Sequence, residues 1–80
     1  MAHFIQANGT MRHNIPVPLS LTALQQYVQG FVQFIDLSGG DCIAVNEKSA
    51  EYGDANQTAT ALAFQPICGP AVLFHPGELE

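Results

Sequence analysis

The widest variety of hydrogen-bonding side chains in this sequence lies in Asn46-Glu47-Lys48, followed by Tyr52, Asn56, Gln57, Thr58 and Thr60. The stretch combines a cation, an aromatic ring, carboxamides and hydroxyls, the groups that fix a polar small molecule or a nucleotide in place. In such a site Lys48 meets phosphate, with Arg12 approaching from an upstream hairpin or a neighbouring subunit. Tyr52 stacks on a base, Asn46 and Asn56 bind polar edges, and Glu47 holds a sugar hydroxyl or an exocyclic amine. A polar loop capping a sheet has the same composition. Arg12, Asn46, Glu47, Lys48, Tyr52 and Asn56 therefore define a candidate ligand site and no reaction.

Other chemistry is sparse. His3, His13 and His75 sit towards the ends of the chain without metal-ligand spacing, and Cys42 and Cys68 belong to no C-x-x-C pair, so no metal site is expected. A cysteine nucleophile needs a histidine base beside it, and nothing in the order of residues specifies one. Asp41, Glu47, Glu51 and Asp54 can divide acid and base roles only in unlike environments, and a solvated acidic loop has the same sequence. The glycines of Ser38-Gly39-Gly40 connect strand to strand, which is not the strand-to-helix setting of a phosphate-cradling loop. The expectation is a non-enzymatic protein with no catalytic residues and no cofactor.

The elements that position these residues centre on Ser20 to Asn46. Leu21, Leu24, Val28 and Phe31 recur at three- and four-residue steps and predict an amphipathic helix, with Ser20 as N-cap and Gly30 as its left-handed stop. Roughly two and a half turns do not hold alone, so the helix must dock on a sheet. Phe31 to Leu37 and Cys42 to Val45 pair as an antiparallel hairpin across Ser38-Gly39-Gly40. Upstream, His3 to Ala7 and Met11 to Ile15 flank Asn8-Gly9, a two-residue hairpin signal, and Pro16 and Pro18 end the return strand. Glu47 to Gln57 is a polar loop, and Thr58 to Phe64 a short helical turn or irregular segment, its alanines favouring helix and its threonines opposing it. Ala71 to Phe74, wholly apolar, is a central strand. The expected core is Leu24, Val28, Phe31, Ile43, Val45, Val72 and Leu73.

The fold class is therefore α+β: a small antiparallel sheet of about five short strands with one amphipathic helix packed on it. Residues 1–78 form a single domain, and Leu79-Glu80 has the form of a cloning scar. Hydrophobic residues make up 48% of the chain and charged ones 11%, against about 25% charged in ordinary soluble domains. So small a domain leaves apolar surface uncovered as a monomer, which predicts a homo-oligomer. A net charge of -5, with Arg12 and Lys48 as the basic residues, argues against general nucleic-acid binding. Neither a leader nor a membrane-length apolar run is expected, so the compartment is cytoplasmic and both cysteines are reduced thiols.

The series Leu24-Gln25 … Val28-Gln29-Gly30-Phe31-Val32, Cys42-Ile43-Ala44-Val45-Asn46-Glu47, Asn56 … Ala59-Thr60-Ala61-Leu62 and Ile67 … Gly69 … Val72-Leu73 resembles a family of small uncharacterised proteins encoded by bacteriophages and plasmids. The resemblance covers roughly residues 3 to 75. Gln29 stands where that family has the first glycine of a Gly-Gly pair, and Ser49 where glycine follows Asn-Glu-x. The resemblance implies a phage or mobile-element protein inside a bacterial host cell. In that setting one expectation is a sponge that sequesters a host nucleotide immune signal, an anti-defence role. The alternative is a protein–protein module that inhibits a host factor.

Overall fold

The computed structural model of the 80-residue chain describes residues 1–51 and 55–80. Five strands, β1 (Ala2–Ile5), β2 (Met11–Ile15), β3 (Val32–Asp36), β4 (Cys42–Asn46) and β5 (Ala71–Phe74), form one antiparallel sheet in the order β2-β1-β5-β4-β3. The wholly apolar β5 is central, as its composition predicts. Two α-helices, α1 (Leu21–Val28) and α2 (Gln57–Ala63), accompany the sheet. Among the described residues no helix is long and apolar enough to cross a membrane.

Sheet register explains why β4 and β5 are apolar at successive positions. Phe4, Val72, Ala44 and Phe34 lie opposite one another across four strands, as do Ile5, Ala71, Val45 and Gln33 one residue on. Neighbouring rows point to opposite faces. The first face packs with Leu24, Leu19 and the half-buried Tyr27. The second packs with Ala59, Ile67, Leu62 and Ala63. Each helix covers one face, so both sides of the central strands are buried and the usual polar alternation is lost.

The second helix corrects the expectation of a single one. Asn56 supplies the missing start signal: its Oδ1 accepts the Ala59 N–H at 3.1 Å, capping the first turn. The threonines do not disrupt α2, because their hydroxyls bond elsewhere. Thr58 donates to the Gly9 carbonyl at 2.7 Å, while Thr60 donates to the Ile67 carbonyl and accepts its N–H.

Helix α1 begins as predicted, with Ser20 Oγ accepting from Ala23 N at 3.0 Å. It ends one residue earlier than predicted. Gln29, not Gly30, adopts the left-handed conformation, with φ 63°. Leu24 and Val28 are buried, but Leu21 is 58% and Phe31 68% exposed. Periodicity places Phe31 in the core because it extends the helical stripe; the chain has left the helix by then, and its direction is set by entry into an edge strand. Ile43, Val45 and Val72 are buried, and Leu73 is half-buried at the margin of the second cluster.

The first hairpin also differs from expectation. Gln6 N–H bonds to the Thr10 carbonyl around a three-residue loop, Ala7-Asn8-Gly9, with Gly9 at φ 90°. The longer loop pairs His3 with His13 and Phe4 with Arg12. Near the other end of the chain, Leu79 forms a parallel bridge to Leu19, and Glu80 N–H bonds to the Leu19 carbonyl.

Candidate functional site

A cleft of about 320 Å³ lies where β4 ends, lined by Gln29, Asn46, Lys48 and Glu51. Its geometry starts from Asn46, the last residue of β4, on the α1 face of the sheet. Asn46 Nδ2 donates to the carbonyls of Val28 at 3.0 Å and Gln29 at 3.3 Å, satisfying acceptors that the end of a helix leaves open. Its Oδ1 accepts the Lys48 N–H at 2.8 Å, an Asx-type turn that redirects the chain out of the strand. Glu51 then closes a short 3₁₀ turn, Ser49–Glu51, through its N–H to the Lys48 carbonyl. The cleft is therefore walled by a helix end, a strand end and a tight turn, all joined through one buried carboxamide.

Glycine at position 30 makes this joint possible. A Cβ built there would lie 2.6 Å from Asn46 Nδ2. Gly30 is required for space and not for a positive φ; Gln29 takes the left-handed position instead.

Electrostatically the cleft is mixed. Lys48 and Glu51 line it together, while Glu47 is exposed and is not among its described lining residues. One cation beside one acid suits a ligand with a single anionic group plus donors better than a polyphosphate.

The five candidate ligand residues that the structure describes separate in space. Asn46, Glu47 and Lys48 share the end of β4. Arg12 is exposed on β2, three strands from β4, or about 14 Å at the usual spacing between strands. Within one chain it does not join the cleft. Asn56 is fully buried at the start of α2, and its Nδ2 donates to the Gly69 carbonyl at 2.8 Å and the Gln6 carbonyl at 3.0 Å. Its carboxamide is occupied by the fold. Tyr52 lies outside the described residues, as does Asp54. Asp41 precedes β4 while Glu47 follows it, so these two acids stand about 20 Å apart along the strand.

One juxtaposition had no signal in residue spacing. His3 and His13 meet across β1 and β2, their Nδ1 atoms 3.2 Å apart and their rings edge-to-face. One nitrogen must donate and the other accept. The Asn14 N–H also approaches His3 Nδ1, at 3.4 Å. A three-residue loop centred on Asn8 would have predicted the pairing; the two-residue turn places His3 opposite Asn14. Among the described residues no group of three or more metal-binding side chains exists.

Cys42 and Cys68 are both free thiols. Burial, the hydrogen bond from Cys42 Sγ to Asp36 Oδ1 at 3.3 Å, and the charges of Asp36 and Asp41 push the Cys42 thiol up from its ordinary range. It is held protonated, the opposite of an activated nucleophile.

Set against known proteins, the chain matches no family model, no curated protein and no solved structure. None of the three comparisons bears on the resemblance to phage- and plasmid-encoded proteins.

Proposed function

We propose that this chain is a non-enzymatic binding protein of a phage or mobile element, acting as a homo-oligomer in the bacterial cytoplasm. It takes a small polar ligand in the cleft of Gln29, Asn46, Lys48 and Glu51, and sequesters a host nucleotide signal there. The observation that carries this reading is the coincidence of the cleft with Asn46 and Lys48, residues picked out by their chemistry alone. Its volume falls at the small end of ligand sites, about 300–1,000 Å³. That size suits a mononucleotide-sized portion of a ligand, with Lys48 on its anionic group and Gln29 and Glu51 on its donors and acceptors. Arg12, on the opposite edge strand β2, takes no part in it.

Native mass spectrometry of protein taken directly from bacterial lysate tests the proposal. A retained small-molecule mass that disappears in Lys48→Ala is the expected result. A co-purifying protein with no small ligand would replace it with the second reading, a module that inhibits a host factor. The exposed rings of Phe31 and Phe34 favour that second reading.

A further inference from the structure

The two edges of the sheet are built differently. Edge strand β2 carries the charge of Arg12, has Asn14 in a left-handed conformation at φ 59°, shifts register against β1 and runs into Pro16. Those features keep a further strand from pairing. Edge strand β3 lacks the left-handed residue, the register shift and the proline: its register with β4 runs uninterrupted from Val32 to Asp36, and its one charge is the terminal Asp36.

We infer that β3 pairs antiparallel with β3 of a second copy about a two-fold axis at Phe34, joining two sheets into one of ten strands. This rests on the self-association proposed above and adds its interface. The backbone determines the register. Glu47 N–H bonds to the Phe31 carbonyl and Leu37 N–H to the Asp41 carbonyl, so residues 31, 33, 35 and 37 direct their polar groups at β4. Val32, Phe34 and Asp36 direct theirs outward. Pairing Phe34 with itself, and Val32 with Asp36, is the register that uses all three and gives six hydrogen bonds between copies.

Side chains agree with that register. On one face Phe34 meets Phe34 and Val32 meets Asp36. On the other, Phe31 meets Leu37 and Gln33 meets Ile35. Asp36, the one charged residue of β3, never faces its own copy, so the pairing adds no direct like-charge contact. Phe31 and Phe34 are 68% and 48% exposed. At about 200 Å² per ring, the four phenylalanines of a dimer offer roughly 460 Å², nearly half the area of about 1,000 Å² that a specific interface needs. The paired backbones and the side chains of Val32, Gln33, Ile35 and Leu37 add to it.

The same geometry completes the ligand cleft. Gly30 falls opposite Ser38 of the second copy, which brings that copy's Ser38-Gly39-Gly40 turn alongside the mouth formed by Gln29 and Lys48. A Cβ on Gly39 or Gly40 would meet nothing in its own chain, so this turn is free to lie against a neighbour.

Sedimentation and amide exchange on the full chain test the inference. The expected result is a concentration-dependent dimer in which the amides of Val32, Phe34 and Asp36 become protected as dimer forms. Asp36→Pro, which removes one outward donor per copy, and Phe31→Lys, at an exposed site, should each weaken dimerisation by about tenfold or more. A monomer at all concentrations up to about 100 times a micromolar Kd would overturn both self-association and the interface. A dimer whose 32, 34 and 36 amides exchange freely would leave self-association standing and overturn the β3 interface. Protection of those amides in a monomer carrying a foreign extended peptide would overturn the second copy as occupant. Exchange on the unsubstituted protein decides the matter even if a variant fails to fold.

Discussion

Gly30 and Asn46 touch so closely that neither can be understood alone: a methyl group on Gly30 would sit 2.6 Å from Asn46 Nδ2. Asn46 is 6% exposed and holds the Val28 and Gln29 carbonyls and the Lys48 N–H, so its carboxamide cannot swing aside without breaking those bonds. Gly30→Ala is expected to cost about 1–3 kcal/mol, the usual range for overpacking a tight site. Urea denaturation checks it. A loss below about half a kcal/mol, within the ordinary range of surface changes, would mean the joint yields easily.

Asn56 serves the fold. Asn56→Ala removes the α2 cap and leaves the buried Gly69 carbonyl short of a donor, a combined cost of about 2–4 kcal/mol. Asn56→Asp keeps a capping oxygen but loses the Nδ2 donors, so it should not restore wild-type stability. Full recovery in Asn56→Asp on denaturant titration would show that capping alone matters.

Leu24 and Phe31 should differ sharply although both lie on the same predicted stripe. Leu24→Ala empties a buried position between α1 and the sheet and should cost about 2–5 kcal/mol. Phe31→Ala, measured at concentrations where the protein is monomeric, should stay within about half a kcal/mol of wild type. Equal losses would contradict the edge position of Phe31.

Glu78 should give the closing turn a pH dependence. The His75 backbone N–H donates to Glu78 Oε1 at 2.8 Å and the Met1 ammonium lies 2.9 Å from Oε2, holding this carboxyl below the ordinary carboxylate range. A group with a lowered folded-state value stabilises fully above its unfolded value, near 4.5, and its contribution disappears as the pH falls through the lower folded one. Glu78→Gln should therefore lose stability relative to wild type at neutral pH, and the gap should close as the pH drops below that range. A gap independent of pH would exclude the ionised carboxylate as its source.

Much of the fold was legible where a local signal sufficed. The periodicity around Leu24 and Val28, the Ser20 cap, the Ser38-Gly39-Gly40 turn and the apolar run of β5 each act through neighbouring residues. What escaped depended on partners distant in sequence. Asn56 could be given a ligand role because its Gly69 and Gln6 partners are set by tertiary packing. Helix α2 was obscured because its threonines find acceptors in the Gly9 and Ile67 carbonyls, which α2 does not contain. Arg12 matches Lys48 in chemical type, but the strand order puts them far apart. The cleft itself was half visible: Asn46 and Lys48 are adjacent in sequence, whereas Gln29 joins them only because Gly30 admits Asn46.

Calorimetric titration of mononucleotides, cyclic dinucleotides and ADP-ribose derivatives into wild type and Lys48→Ala tests most directly whether the cleft at the end of β4 is a ligand site. The account predicts that at least one of these compounds binds the wild type and that Lys48→Ala weakens it by about tenfold or more, the loss of a charge-assisted contact. It also predicts that Arg12→Ala leaves binding unchanged, because β2 lies at the edge of the sheet away from both the cleft and the β3 interface. Failure of the whole panel to bind the wild type, or binding unchanged in Lys48→Ala, would contradict it.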